Sequence, residues 1–416
     1  MKIEMKMKIL WALIIIISGC SSEKVKKNIG DTLKNDSVFF KIDFPDIIKN
    51  TSNLLLSEIA DSIEYVSLET TPESLLGRVV DTKLSKEYIF IEHNGHALLT
   101  QFNRRGDFVR HIGRVGRGPG EYNQMRYFEI DEKDQLIYIQ GNWTSNILIY
   151  SFEGLFIKEI KYKGLRDGTA SWSRDTLFIQ FGEPQNGDEK YVFTERNSIG
   201  DTLQYVLNYA KWDGNRSSSE TTGYFGRNVF YRLKNRLHFK GWYNDTIYTY
   251  DIKNKIIPKF FIDLKHYKLP DELRTEKKTS KQIPSNYYWV GVTESLRYVF
   301  IKYATYSLSI NNAGGYIIFD KKLKTGKASS NLSERKGIID DINNGPEFIP
   351  EFTNDSLAFS FLSPFELKEY FTESSAPAKT AISPAQNSDL LKFAQSLKEG
   401  DNQIIVIVNL HNNIHL

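Results

Sequence analysis

The chain has 416 residues, 40% of them hydrophobic and 25% charged, with a formal net charge of +3. A disordered chain has fewer apolar residues and more uncompensated charge, and 27 glycines with 12 prolines are too few for collagen, so the composition is that of a globular protein. Near-neutrality argues against a dedicated nucleic-acid binder, which gathers a basic face against phosphate, and the length suffices for one large or two ordinary domains.

Lys2, Lys6 and Lys8 precede Ile9 to Ile17, nine unbroken apolar residues. Crossing a bilayer takes ~20 apolar residues and a signal-peptide core takes roughly 7 to 15, so residues 1–19 are expected to be an export signal. Ser18, Gly19 and Cys20 follow, and Cys20 is the only cysteine, which excludes an intramolecular disulfide. Small residues before a lone cysteine resemble the lipobox of bacterial lipoproteins. The resemblance implies cleavage before Cys20, acylation of that residue and attachment to a membrane through lipid. Ser21 to Asn28 is polar and reads as a tether, within a lipidated lead-in over residues 20–50. Ser21 is compatible with sorting to the outer membrane. Glu23 stands alone among lysines, without the acidic cluster that directs surface display, so the periplasmic face is expected.

Further along, Tyr88 to Phe102 reads as two β-rich runs joined by Asn94-Gly95, a pair that accepts the positive φ angles of a type I′ hairpin. His93 and His96 then stand as a cross-strand pair, either the beginning of a metal site or solvated residues beside a turn. Short strands are expected at 136–140, 146–150, 155–160, 176–180, 191–194, 246–250, 259–263, 298–303 and 316–319. Helical periodicity is confined to 364–371 and to 388–398, where Leu390, Leu391, Ala394 and Leu397 share a face and Gly400 follows the end.

The strands repeat. Leu98 to Gly113 and Ile147 to Lys161 each consist of an apolar strand, a turn with glycine and an alternating strand. The turn glycines are Gly106, Gly154 and Gly200, degenerate copies place turns at Asn254 and around Gly326, and the spacing is 46 to 54 between the first four. Periods of roughly 40 to 50 residues holding four strands are those of propeller blades, which stack face to face because none can bury both surfaces alone. The expected architecture is all-β. Polar segments at 213–222, 275–286 and 373–387 read as insertions, and Ile63 to Leu68 with Ile404 to Leu410 are the pair expected to close the ring.

The stretch GDFVRHIGRVGRGPGEY from Gly106 and the later ILIYSFEGLFIKEI resemble NHL-type repeats. Together with Ile63 to Val79, Asn244 to Asp251, Pro258 to Pro270 and Asn354 to Leu367, they resemble the six-bladed β-propeller lipoproteins of Bacteroidetes. That resemblance implies six blades over residues 51–416, with short helical insertions near the C-terminus. Met125, Arg126 and Tyr127, followed by Tyr138, Ile139 and Gln140, depart from the NHL pattern and remove the basis for carrying over an NHL enzyme activity.

No G-x-S-x-G elbow, H-E-x-x-H pair, C-x-x-C pair or P-loop occurs. The most unusual local feature is 113–122, where Arg114, Arg117 and Arg126 surround Gly116, Gly118 and Gly120. Read functionally, it is a receptor for carboxylate or phosphate. Read structurally, it is a connection between blades with Glu121 paired to an arginine and Tyr122 beside it. Trp143, Trp242 and Trp289 are candidate stacking platforms for a glycan or peptide, or core. Two functions follow. The first is a non-catalytic envelope lipoprotein that binds a polymer, peptide or protein partner. The alternative is a metal-dependent hydrolase or lyase with a divalent cation at the propeller axis. The absence of a concentrated acid, base or metal set favours the first.

Overall fold

Runs of four short strands, each folded back on its predecessor by a tight turn, account for nearly all of the regular structure. The computed structural model describes residues 39–411 apart from 95–96, 142–144, 163–168, 175–176, 183–188, 210–229, 242–243, 252, 271–272, 274–282, 307–313, 330–336 and 373–383. Two strands, β1 (Phe40–Asp43) and β2 (Ala60–Ser67), precede the first complete blade. Blade one is β3 (Val79–Leu84), β4 (Tyr88–His93), β5 (Leu99–Asn103) and β6 (Phe108–Ile112). Blade two is β7 (Met125–Asp131), β8 (Leu136–Gly141), β9 (Asn146–Ser151) and β10 (Phe156–Lys161). Blade three is β11 (Ala170–Arg174), β12 (Leu177–Phe181), β13 (Tyr191–Arg196) and β14 (Thr202–Leu207). Blade four is β15 (Phe230–Leu233), β16 (Arg236–Phe239), β17 (Thr246–Tyr250) and β18 (Ile256–Asp263). Blade five is β19 (Tyr288–Glu294), β20 (Tyr298–Thr305), β21 (Gly314–Asp320) and β22 (Thr325–Ala328). Blade six is β23 (Phe352–Thr353), β24 (Leu357–Leu362) and β25 (Ile404–Leu410), completed on the outside by β2.

The ring therefore closes as the sequence leads one to expect: β25 pairs with β2 along Ala60↔Leu410 to Ser67↔Ile404 and with β24 on its other side. First strands of neighbouring blades approach one another, β7 with β11, β15 with β19 and β19 with β23, which places them at the axis. Fourth strands lie outside, and those of blades two and three are exposed along much of their length.

Each blade presents two apolar faces, and six seams bury them. Phe90, Phe128 and Tyr150 fill the seam of blades one and two. Phe193, Phe230 and Phe239 fill that of three and four. Ile262, Val292 and Phe319 fill four and five, and Phe102 with Ile405 fills six and one. The seam of blades two and three is the thinnest, with six buried hydrophobic residues where the others have nine to sixteen among the described residues. At about 1.5–3 kcal/mol per buried large side chain, these seams are the main source of stability.

The third turn of each blade shows why the repeat was legible. Gly106, Gly154 and Gly200 take φ of 90°, 79° and 95°, values that Cβ-bearing residues adopt only with strain. In blade four Asn254 takes φ 56°. In blade five the turn sits at Lys324 (φ 56°) and not at Gly326, which lies within β22. Asp320 makes the difference, accepting the amides of Lys322 and Leu323 through its side chain and forming the turn without glycine.

The lead-in is structured from Phe40 onward. β1 adds to β18 as a fifth, parallel strand with Phe40↔Phe260 through Asp43↔Asp263 in register. Asp43 then caps α1 (Phe44–Ile48) by accepting the Asp46 amide, and Thr51 and Leu55 bridge to Ala328 and Ile339 on the way to β2. Between β24 and β25 a helical insertion carries α2 (Pro364–Thr372) and α3 (Pro384–Ser396). Ser363 and Glu366 form a reciprocal capping box at the start of α2. Leu390, Ala394 and Leu397 pack against Leu367 and Ile404, whereas Leu391 is turned outward.

Candidate functional site

Three places were marked for chemistry by the sequence or by burial: the axis, the glycine-rich connection and the outer rim. At the axis, first strands bring together charges that satisfy one another. Lys83 lies 3.1 Å from Asp81 and over the Tyr127 ring. Burial pushes the Asp81 carboxyl up, and the charges of Asp81 and Glu129 hold the Lys83 ammonium above its usual value although burial opposes them. Arg232 of blade four spans to Glu129 of blade two (3.6 Å) and donates to the Trp172 carbonyl of blade three, its guanidinium stacked on the Trp172 ring. Tyr127 donates to the same Glu129 carboxylate. Acids and bases here are matched in pairs. Among the described residues no group of three or more His, Cys, Asp or Glu side chains is placed to hold a metal ion.

Two further buried carboxylates join blades. Glu195 accepts from Tyr250, Ser173, Gln204 and Arg174. Glu294 accepts from Tyr231, Lys259 and Lys321. Burial alone would raise the Glu294 carboxyl, but Lys259 and Lys321 outweigh it and hold it at about 2.

The segment 113–122 is a connection between β6 and β7. Its carboxylate receptor is filled from within: Glu121 accepts the Gly118 amide at 2.9 Å, and a side chain at Gly116 would collide with that carboxylate. The expected pairing of Glu121 with an arginine is not what forms, since among the described residues no ion pair joins it to Arg114 or Arg117, both of which are exposed. Tyr122 is buried, donating to the Ile112 carbonyl and accepting the Leu99 amide.

His93 is likewise not a solvated turn residue. It is 3% exposed, accepts the Gly77 amide at Nδ1 and meets Thr100 through Nε2. A turn centred on Asn94-Gly95 would set His93 opposite His96 and Ile91 opposite Leu98. The structure pairs Ile91 with Thr100 and His93 with Val79; His96 lies outside the described residues. Trp289 is half-buried against Leu269, Ile283 and Tyr306, and Trp143 and Trp242 lie outside the described residues.

At the rim, contacts of the outer strands close five of the six seams. Arg110 closes blades one and two by donating to the Glu153 carbonyl. Gln204 closes three and four, donating to the Asn254 carbonyl and accepting the Ile256 amide. Phe40 stacks on both Phe260 and Phe319 at four and five. Lys327 pairs with Glu58 at five and six, and Glu69 takes the Phe108 amide at six and one. Blades two and three differ. A groove of about 590 Å³ opens there, lined by Asn146, Glu159, Lys161, Tyr162, Ser198 and Ile199. Beside it stand exposed apolar side chains: Leu155, Ile157 and Ile199 at 67%, 49% and 69%, with Leu203 and Tyr205 half exposed. Lys158, four residues after its turn glycine as Arg110 and Gln204 are after theirs, makes no such closing bond among the described residues. Sequence reasoning missed this place, although an apolar residue inside a tight turn, as at Leu155 and Ile199, was a signal for it.

Six sheets, five of four strands and one of five, around a charge-filled axis define a six-bladed β-propeller. The chain belongs to the family described as "Domain of unknown function (DUF4934)", whose model matches residues 39–409. It is similar in fold to a putative exported protein of Bacteroides fragilis, at 18% identity and a TM-score of 0.65, covering 91% of this chain and all of that one. It is also similar to a member of the DUF4221 family from Bacteroides vulgatus, at 12% identity and a TM-score of 0.49, covering 85% and 98%. No curated protein matches the sequence.

Proposed function

We infer that the protein is an exported, lipid-anchored module of the cell envelope that binds a polymer, peptide or protein partner, held through Cys20 at the outer membrane with the propeller on the periplasmic face. The observation that carries the binding reading is a contrast of surfaces. The buried charges near the axis are matched to one another, while exposed apolar side chains gather at the rim of blades two and three. A soluble monomer rarely leaves such a patch bare. The export and anchor rest on the lysines, apolar run and lone cysteine at the N-terminus.

The test has two arms. Cys20→Ala should move the protein from the detergent phase to the aqueous phase; unchanged partitioning would overturn the anchor. A photo-crosslinking residue at Leu155 should trap one discrete envelope component in intact cells, and the same residue at Lys392 on α3 should not. Equal, diffuse products from both positions would overturn the binding role.

A further inference from the structure

The fold itself shows what covers a blade edge. Shifting blade two by 100 residues onto blade four aligns Gly154 with Asn254, the pair Tyr150↔Phe156 with Tyr250↔Ile256, and Asn146↔Lys161 with Thr246↔Phe261. Under this equivalence Ile160, Lys161 and Tyr162 correspond to Phe260, Phe261 and Ile262, the residues along which β1 is added. The rim groove of blades two and three is therefore the counterpart of the place β1 occupies on blade four. The berth on blade four is filled, Phe40 wedging between Phe260 and Phe319. The berth on blade two has Tyr162 at its floor and Ile199 on its lip.

Edge and charge both indicate the occupant. β10 ends its sheet, with one side of its backbone unpaired by any strand among the described residues. On blade four the added strand is fixed by two ion pairs, Lys41 with Asp263 and Asp43 with Lys265. On blade two Lys158 and Lys161 are exposed and join no ion pair among the described residues. A strand that completes this edge needs acidic residues where the host supplies lysines.

We propose that the rim of blades two and three is a berth for an extended segment of a partner protein. The segment adds to the free edge of β10 as a fifth strand, sets a carboxylate beside Lys161, and places an aromatic or large aliphatic side chain between Tyr162 and Ile199. This deepens the binding role inferred above and rests on it.

The test uses the purified full chain and three fluorescein-labelled heptapeptides: Glu-Phe-Glu-Ile-Asp-Phe-Glu, the same peptide with lysine for every acid, and the acidic peptide N-methylated at alternate amides. Fluorescence anisotropy should show the acidic peptide binding about tenfold more tightly than the basic one, the order of one or two charge pairs. N-methylation should abolish binding, because it removes the strand's hydrogen bonds. Lys161→Glu should invert the charge preference, and Ile199→Asp should weaken the acidic peptide about tenfold with an unchanged melting temperature, since both side chains are exposed. Hydrogen exchange should slow in 156–161 when the acidic peptide is added. Equal binding of all three peptides, no binding, or protection elsewhere would overturn the berth. A self-association seen by sedimentation and lost in Ile199→Asp would assign the edge to a second copy and overturn the partner peptide. Failure of every peptide alongside a discrete crosslinked component in the cell experiment would remove the berth and leave the binding role standing.

Discussion

The Tyr231 hydroxyl of blade four donates a 2.7 Å hydrogen bond to the Glu294 carboxylate of blade five, and His238 lies flat on the Tyr231 ring at 5.2 Å. This small group makes the seam of blades four and five sensitive to acid. Burial, reinforced by Lys259, lowers His238 to about 3, and Lys259 and Lys321 hold Glu294 at about 2 against its own burial. For both groups the folded chain resists a proton that the unfolded chain accepts, so stability falls as pH falls. His238 acts first, below about 6.5, and Glu294 below about 4.5. A Glu294 shift of this size corresponds to about 3 kcal/mol, lost as pH approaches 2. Urea midpoints measured from pH 8 to pH 3 should decline, and His238→Phe, which keeps the ring on Tyr231, should flatten the decline between pH 6.5 and 4.5. Parallel curves for the two proteins would refute the assignment to His238.

Phe40 bridges blades four and five from outside the repeat, so Phe40→Ala tests whether the lead-in strand is part of the fold. The ring is half-buried and stacked on two others, and its loss should lower stability by about 2 kcal/mol. Thermal unfolding gives the size. Hydrogen exchange should quicken in 256–263 more than in 156–161, because only the first edge loses its cover.

Much of this architecture was legible because the third turn of the first three blades is written in glycine, at 106, 154 and 200, and positive φ leaves few other residues available. Legibility failed where a side chain took over the role of glycine. Asp320 builds the fifth turn, so the glycine pattern points two residues late, to Gly326, which is small because a side chain there would strike Ile47 of α1. The strand β1 is four residues long and owes its conformation to β18, a debt no local pattern records. The candidate site was less legible than the fold. Glu121, Tyr122 and Trp289 carry the residue types of a ligand site, yet they bond or pack within the chain. The open rim is a missing contact at Lys158, and an alternating strand reads the same whether its outer face is covered or bare.

The turn rule makes opposite predictions at two positions. Gly106→Ala should destabilise by more than about 1 kcal/mol, since φ is 90° and the added Cβ would press on the Ser67 carbonyl. Lys324→Gly should be neutral or stabilising by up to about 1 kcal/mol, because it relieves a lysine held at φ 56°. Chemical denaturation of the two variants gives both signs in one experiment, and a stable Gly106→Ala would show that the turn had rearranged.

Removal of Gln403 to Leu416 tests ring closure. β25 is paired on both sides and supplies Ile405, Ile407, Val406 and Val408 to two seams. Without it β24 and β2 become exposed edges, and the shortened chain should aggregate or be proteolysed. A soluble product that unfolds in one cooperative transition would refute closure by this strand.

Lys240 gives the last prediction, of a stabilising substitution. The residue is 6% exposed, and its ammonium donates to the Gly241 carbonyl at 3.1 Å. Asp245 forms an ion pair with Lys268 at 2.9 Å. Burial lowers Lys240 to about 8 even though Asp245 pulls the other way. For a lysine a lowered value means that the folded state holds the proton less readily than the unfolded one. The penalty is therefore present at neutral pH and disappears only as pH rises past the unfolded value near 10.5. Lys240→Met keeps the length of the side chain and removes the charge, so at pH 7 it should raise stability by about 2 kcal/mol. The gain should shrink as the pH of the unfolding experiment is raised from 7 to 10. A loss of stability at pH 7 would mean that the bond to Gly241 outweighs the cost of burying the charge.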